Sequence, residues 1–452
     1  MHVMRDRITS WVGHSVNRGI FSAALTVSGI TLLVKIGSAL KEILVARQFG
    51  TGDDLDAFLI AFLIPSLCIN VIAASLASVA VPAFLQIKVR DGKAAAQHFF
   101  SNIHAWCIGL LVLISLALSL SGPFLLSLLT SSFSSEKYQL TRTLYFILLP
   151  ILTVSGLSTL WGGILNAGER FGQVAWAQIL TPMTTIIVLL AFGISWGIFA
   201  LAIGTIAGFT FEAAILAKLL KGYGFTLLPR WGGWTPALLQ VRKEYIPMLV
   251  GALLMSGMTA VDQAMAATLA PGSVAALNYG NRIVAMILSL MAGLWIVVLT
   301  YFSKMAAEKD WTGIRHTLNT YSRLVFAVGI PLVLLLVLFS KPIVSILFER
   351  GAFSAQDTSL VSNIQIYYFL QIPFYVLVLL MMRLISSLKA NRWLMLVSSI
   401  NFILNVVLNY VLMHWMGVAG IALSTTIVYV ISFFCFWFII RRLLPMQITE
   451  KQ

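Results

Sequence analysis

The chain has 452 residues, of which 59% are hydrophobic and 10% charged, and its mean hydropathy is +0.94. Repeated apolar runs of about twenty residues exclude a soluble domain and fit a polytopic membrane protein. The formal charge of +14 does not point to nucleic acid, because the basic residues are spread over short connections and are not clustered with exposed aromatics.

Residues 1–19, MHVMRDRITSWVGHSVNRG, are basic and polar, and no A-x-A site follows the first apolar run. That run therefore reads as a retained first span, preceded by a short cytoplasmic segment along the membrane surface. Span 1, near 20–47, carries Lys35, Lys41, Glu42 and Arg47. An ionisable residue at a helix centre costs roughly 2.5–3.5 kcal/mol on insertion scales, so it usually faces a wet cavity or a partner. On a helix, Lys35 and Glu42 fall within about 20° of each other, and Lys41 points some 120° away. Arg47, at the interface, can snorkel. Lys35 is too deep for that, which makes Lys35 and Lys41 candidate anion ligands and leaves Glu42 as a charge partner for either lysine.

DDLD at 53–56 opens span 2. Asp53 and Asp54 read as a solvated turn and Asp56 as an N-cap on its own helix, where the charge also suits the dipole. A catalytic or metal-binding carboxylate cluster is disfavoured, because the connection before span 2 is too short to hold donor and acceptor, so no enzyme and no metal site are expected. Pro65, inside span 2, marks a kink or hinge. Cys68, Cys107 and Cys435 lie in apolar runs with no CxxC or His pairing and read as buried hydrophobes.

Further spans are read near 57–86, 103–129, 141–166, 174–195, 198–220, 244–270, 274–303, 318–348, 358–388, 393–414 and 416–440, about twelve in all. The longest polar connection, 221–243, separates an N-terminal lobe (20–220) from a C-terminal lobe (244–440), with a cytoplasmic tail at 441–452. In the second lobe, span 7 carries Asp262 and Gln263, and span 8 carries Asn278, Asn281 and Arg282. Span 11 carries Asn401, Asn405 and Asn409 at i, i+4, i+8 spacing, one stripe that serves either packing or a cavity wall. Asp262 and Asp56 are candidate coupling residues. Glu212, in span 6, has no evident role.

The halves repeat. SGPFLLSLLTSSFSSEKYQLTRTLYFILLPI (121–151) aligns with SKPIVSILFERGAFSAQDTSLVSNIQIYYFLQIPF (340–374), sharing Ser-x-Pro and a mid-span proline, Pro150 or Pro373. ILNAGERFGQ (164–173) parallels SLKANRWLML (387–396), and WGIFALAIGT (196–205) parallels WMGVAGIALS (415–424). Six spans per half give both copies one orientation, so the expected fold is all-α, with two six-helix lobes about a pseudo-twofold axis along the membrane normal. Lys88, Arg90, Lys93, Lys221, Arg230 and Arg242 lie in one set of loops, against Lys137, Arg142, Lys341 and Arg350 in the other. The positive-inside rule then puts both termini in the cytoplasm.

VARQFGTGDDLDAFLIAFLIPSL (45–67) and LFERGAFSAQDT (347–358) resemble the two signatures of the MurJ/MviN family of lipid-linked oligosaccharide flippases, over nearly the whole chain. The resemblance implies two six-helix lobes around a cationic cavity in a bacterial inner membrane, and a cargo of undecaprenyl-diphosphate-linked sugars. It places Lys35 and Lys41 where the family has arginines, Glu42 and Asp56 where it has acids, and Arg282 at a cavity arginine. Where lipid II flippases of the family carry charges in span 2, this chain has Leu63, Ile69, Asn70 and Ala74, and it stops after span 12 where they carry two further helices. A related cargo is therefore expected, either a surface or exopolysaccharide repeat unit or a lipid II-like peptidoglycan precursor, with the headgroup held by Lys35, Lys41, Arg282, Asn278 and Asn405. Membrane lipids, and glycan polymerases or glycosyltransferases, are the partners such a cargo implies. No cofactor is expected; coupling to membrane potential, H+ or Na+ is compatible with the mechanism. The alternative is a cation-coupled drug exporter of the same superfamily, which the basic residues of span 1 disfavour.

Overall fold

The computed structural model describes residues 15–290, 301–388 and 390–449, and every regular element among them is helical. In chain order these are α1 (Ser15–Phe49), α2 (Asp53–Cys68), a π-helical turn (Ile69–Ala73), α3 (Ala74–Leu129), α4 (Ser135–Leu148), α5 (Pro150–Ala167), α6 (Phe171–Gln178), α7 (Leu180–Trp196), α8 (Ile198–Gly222), α9 (Pro236–Ala266), α10 (Ser273–Leu290), α11 (Trp311–Leu338), α12 (Ser340–Phe348), α13 (Ala355–Leu370), α14 (Ile372–Ser387), α15 (Asn391–Met416) and α16 (Val418–Thr449). Helix is what apolar runs of this length dictate, because a backbone in hydrocarbon finds no water and must satisfy its own polar groups. The surface segment expected at the N-terminus falls mostly on 1–14, outside the described residues.

Among the described residues, nine helical stretches are long and apolar enough to cross a bilayer. Asp53–Leu129 has 77 residues, far more than the ~20 that cross once. It breaks at Gly92 (φ 85°, ψ −178°), inside the basic connection expected between spans 2 and 3. α1 and α10 hold the other expected spans, the second running into residues 291–300, which lie outside those described.

Proline sets several helix boundaries. The spans read as continuous at 141–166 and 358–388 are each two helices, split at Leu149 and Gln371, with Pro150 and Pro373 in the first turn of the helix that follows. Proline has no N–H to continue the ladder but suits the first turn of a new helix. For the same reason α9 begins at Pro236, so the irregular connection is only 223–235, shorter than the expected linker. The last helix runs through the expected tail to Thr449, with the Arg441 and Arg442 guanidiniums 3.6 and 4.3 Å from the Trp437 and Phe438 ring centroids.

The internal repeat is visible in the backbone. Arg170 before α6 and Ala390 before α15 share φ −96°, ψ 35°. Gly197 before α8 (φ 54°, ψ −134°) matches Gly417 before α16 (φ 59°, ψ −138°). These pairs are offset by three residues and one residue from the alignment by residue type, so the repeat is kept in geometry more faithfully than in identity.

The chain separates into two compact units: Met1–Val45, Ala61–Phe124 and Arg142–Leu249 form the first, and Ala46–Ile60, Leu125–Thr141 and Val250–Gln452 the second. The first packs around Phe84, Phe100, Ile103, Leu111 and Leu160. Its 223–235 connection is tied down by Gly232 N donating to Asn102 Oδ1 (2.6 Å) and by Trp234 edge-on to Trp106. The second packs around Leu377, Met381, Leu384, Phe433 and Phe436. It also takes in the turn between α1 and α2 and the stretch joining α3 to α4.

Candidate functional site

The second unit encloses a cavity of ≈ 680 Å³. One wall is α10, whose Asn278, Asn281 and Arg282 point inward on one face, as residues three and four apart on a helix must. The row Tyr375, Leu379, Arg383 on α14 forms another wall, and Asp262 and Gln263 of α9 with Thr425 and Tyr429 of α16 complete it. Polar side chains are thus gathered beside Leu277, Ala285, Leu288 and Leu379 in a site built on helices that are otherwise apolar. Arg383 was not singled out in the sequence, although it is the sole charged residue in IPFYVLVLLMMRLISS. It lies close to the end of its span, where a basic residue reads as a topology signal.

Asp262 is buried, and its carboxylate accepts from Asn405 Nδ2 (3.0 Å), Asn409 Nδ2 (2.6 Å) and Thr425 Oγ1 (3.4 Å). Asn401, one turn away from Asn405, accepts from Ser432 Oγ (2.9 Å). The asparagine stripe, left open between packing and cavity lining, therefore packs. Asn405 is not on the cavity wall as a ligand for cargo; it stands behind Asp262 and fixes its carboxylate. The physical reason is the close pairing of α15 with α16, which leaves no water-filled space beside Asn405 and Asn409, both essentially inaccessible.

In the first unit, Glu42 is buried and its Oε1 lies 2.9 Å from Lys41 Nζ. Lys35 is half-buried and makes no ion pair among the described residues. Pro65 lies within α2, and the π-helical turn Ile69–Ala73 follows immediately on that helix, so two backbone irregularities adjoin at the expected hinge. Glu212 accepts a hydrogen bond from Thr181 Oγ1 (2.8 Å), which satisfies it within its own helix bundle.

Asp56 is placed differently from expectation. It does not cap its own helix: its Oδ2 and Oδ1 accept from the backbone N–H groups of Gly272 and Ala275, 2.8 Å each, at the N-terminus of α10. Lys137 Nζ, itself buried, bridges Asp56 Oδ2 (2.9 Å) and Asp53 Oδ1 (2.6 Å). Asp53 is thus an ion-pair partner and not only part of a solvated turn. A first-turn acid suits any helix N-terminus, and here the nearer orphan amides belong to α10, the helix that carries Asn278 and Arg282. The two sequence signatures also meet in this unit: Ala352 N donates to Arg47 O (2.8 Å), and Thr51 Oγ1 bonds the Asp357 carboxylate.

Comparison with known proteins agrees with this architecture. A family model described as "Lipid II flippase MurJ" matches residues 45–451. A probable lipid II flippase MurJ of Synechocystis sp. is 26% identical over 94% of this chain and 83% of its own length. A lipid II flippase MurJ of Burkholderia cenocepacia is 27% identical over 76% of this chain and 69% of its own. Among solved structures, a lipid II flippase MurJ in an inward closed conformation superposes with a TM-score of 0.79 at 22% identity, covering 92% of this chain and 87% of its own. An inward-facing multidrug resistance transporter of the MATE family, in the MOP superfamily, reaches a TM-score of 0.78 at 14% identity, covering 95% of this chain and 100% of its own. With the family model matching nine-tenths of its length, the chain belongs to the MurJ family, and is a multi-pass membrane transporter and not an enzyme.

Proposed function

We propose that this chain flips a polyprenyl-diphosphate-linked glycan, with a lipid II-like peptidoglycan precursor as its cargo, from the cytoplasmic to the periplasmic leaflet. The observation that carries the reading is the cavity wall of α10: Arg282 set among Asn278 and Asn281 inside a membrane helix bundle. A guanidinium in such a site has lower hydration to lose than an ammonium and presents paired donors that match phosphate oxygens. Neighbouring amides supply further donors and acceptors for sugar hydroxyls. The Asp56 cap and the Lys137 bridge hold the start of α10 and so orient Arg282 without adding charge to the cavity.

In this mechanism the headgroup enters the polar cavity while its lipid tail stays in the bilayer. Alternating access about the Pro65 region and the split helices then exposes the headgroup on the far side. Both termini are cytoplasmic. Coupling to membrane potential follows the same logic, since one charge moved through 100 mV contributes about 2.3 kcal/mol. A drug exporter of the MATE type shares the fold, but cationic drugs need an acidic cavity, and here two arginines face one carboxylate already held by amides.

The test is growth of a bacterium depleted of its own lipid II flippase. Wild-type chain is expected to restore growth, and Arg282→Ala to lose it by at least ~10²-fold in plating efficiency at equal membrane level. Failure of the wild type at normal membrane level would overturn lipid II as cargo and direct the search to surface-glycan repeat units.

A further inference from the structure

The cavity contains a second arginine for which the diphosphate reading has no use. Arg383 is exposed and makes no hydrogen bond or ion pair among the described residues, yet it lines the same cavity as Arg282. Close to the end of its span, Arg383 keeps its charge at little cost, and with no acid beside it the guanidinium is open to an anion supplied from outside.

The lining has a pattern along both of its principal walls. On α10, the polar Asn278, Asn281 and Arg282 give way to Ala285 and Leu288 before Ser289. On α14, Tyr375 is followed by Leu379 and then Arg383, eight residues and therefore about 12 Å further along the helix. From Asn278 and from Tyr375 onward, each wall reads polar, apolar, polar in the chain direction. Two arginines cooperating on one diphosphate would be expected within a single polar zone, because the two phosphates are adjacent. An apolar belt of Ala285, Leu288 and Leu379 between polar zones instead fits two anionic groups separated by a sugar, whose C–H faces lie against apolar and aromatic side chains.

Resting on the diphosphate reading of Arg282, we infer that Arg383 is a specificity residue that recognises a carboxylate carried by the headgroup beyond its first sugar, so that the transporter selects carboxylate-bearing over neutral lipid-linked headgroups. Arginine suits this role: its planar fork takes a carboxylate through two parallel N–H···O bonds, whereas a lysine there would act as a point charge. The side chain acts on cargo choice, and the pairing it makes is absent with a neutral sugar.

The experiment is isothermal titration of the purified full chain in detergent with UDP-cellobiose and UDP-cellobiuronic acid, two nucleotide sugars that differ only in the oxidation of one carbon of the second sugar to a carboxylate. The intact protein is expected to bind UDP-cellobiuronic acid at least about fivefold more tightly. Arg383→Gln should bring that ratio to about one by weakening UDP-cellobiuronic acid, and Arg383→Lys should restore part of it. Arg282→Gln should weaken both ligands. Gel-filtration profile and thermal unfolding report whether each variant is folded, and the lysine variant, which keeps charge and length, serves if the glutamine variant is not. Equal affinities in the intact protein, or an Arg383→Gln variant that weakens both ligands by the same factor, would overturn the assignment while leaving a diphosphate site in place. Binding of neither nucleotide sugar would overturn the diphosphate reading of Arg282, and this inference with it.

Discussion

Asp56 receives two backbone amides and one ammonium at 2.8–2.9 Å while almost wholly buried. Removing it leaves the N-terminus of α10 uncapped and the buried Lys137 with a single acid. Loss of one member of a buried ion pair costs about 3–5 kcal/mol, and loss of a cap adds about 1. Asp53, on the other side of the same lysine, has a side chain that is 53% exposed, and exposed pairs contribute about 0–1 kcal/mol. Thermal unfolding in one detergent should therefore show a large loss for Asp56→Ala and a small one for Asp53→Ala; equal losses would show that the bridge, and not the cap, dominates. Asp56 stood out in the sequence as an acid beside a membrane helix. Its partners did not, because Lys137 and Gly272 are 81 and 216 residues away and nothing in local spacing links them. Arg282 was legible for the opposite reason, as a charge deep in an apolar run flanked by asparagines. Arg383, a turn from the end of its span, carried the same charge without that signature of depth.

Turns between helices show where backbone conformation and close approach act together. Gly272, in the turn before α10, has φ 82°, and a Cβ there would sit on the carbonyl oxygen of Thr51. Gly197, before α8, has φ 54°, and a Cβ added there would meet nothing within 4 Å. Gly197→Ala should then cost only the strain of a positive-φ backbone, about 1–3 kcal/mol. Gly272→Ala adds a clash with rigid backbone beside the Asp56 cap and should reduce both folded yield and unfolding temperature well beyond that; similar yields and unfolding temperatures for the two variants would contradict the close approach. Element types and most boundaries followed from hydropathy and from proline, since apolar length and a missing N–H act locally. The fate of the Asn401, Asn405 and Asn409 stripe did not, because its spacing fixes only a shared face. Whether that face meets water or a neighbouring helix depends on α16 and Asp262, which local spacing does not reach.

At the scale of the whole chain, orientation rests on charge. The basic residues assigned to the cytoplasm include Lys88, Arg90, Lys93, Lys221 and Arg230, and the opposite set is Lys137, Arg142, Lys341 and Arg350. Lys137 is engaged by two aspartates, and the Arg350 guanidinium bonds the carbonyl of Ile346. These contacts leave the expected orientation where the count of lysines and arginines puts it, because the rule is not one of net charge. In a chain with Cys68, Cys107 and Cys435 replaced by alanine, single cysteines at exposed Glu136 and Lys221 should label differently with a membrane-impermeant maleimide. Glu136→Cys is expected to react in intact cells, and Lys221→Cys only after the membrane is opened or inverted. The reverse pattern would invert the expected orientation, and with it the leaflet from which the proposed cargo would enter.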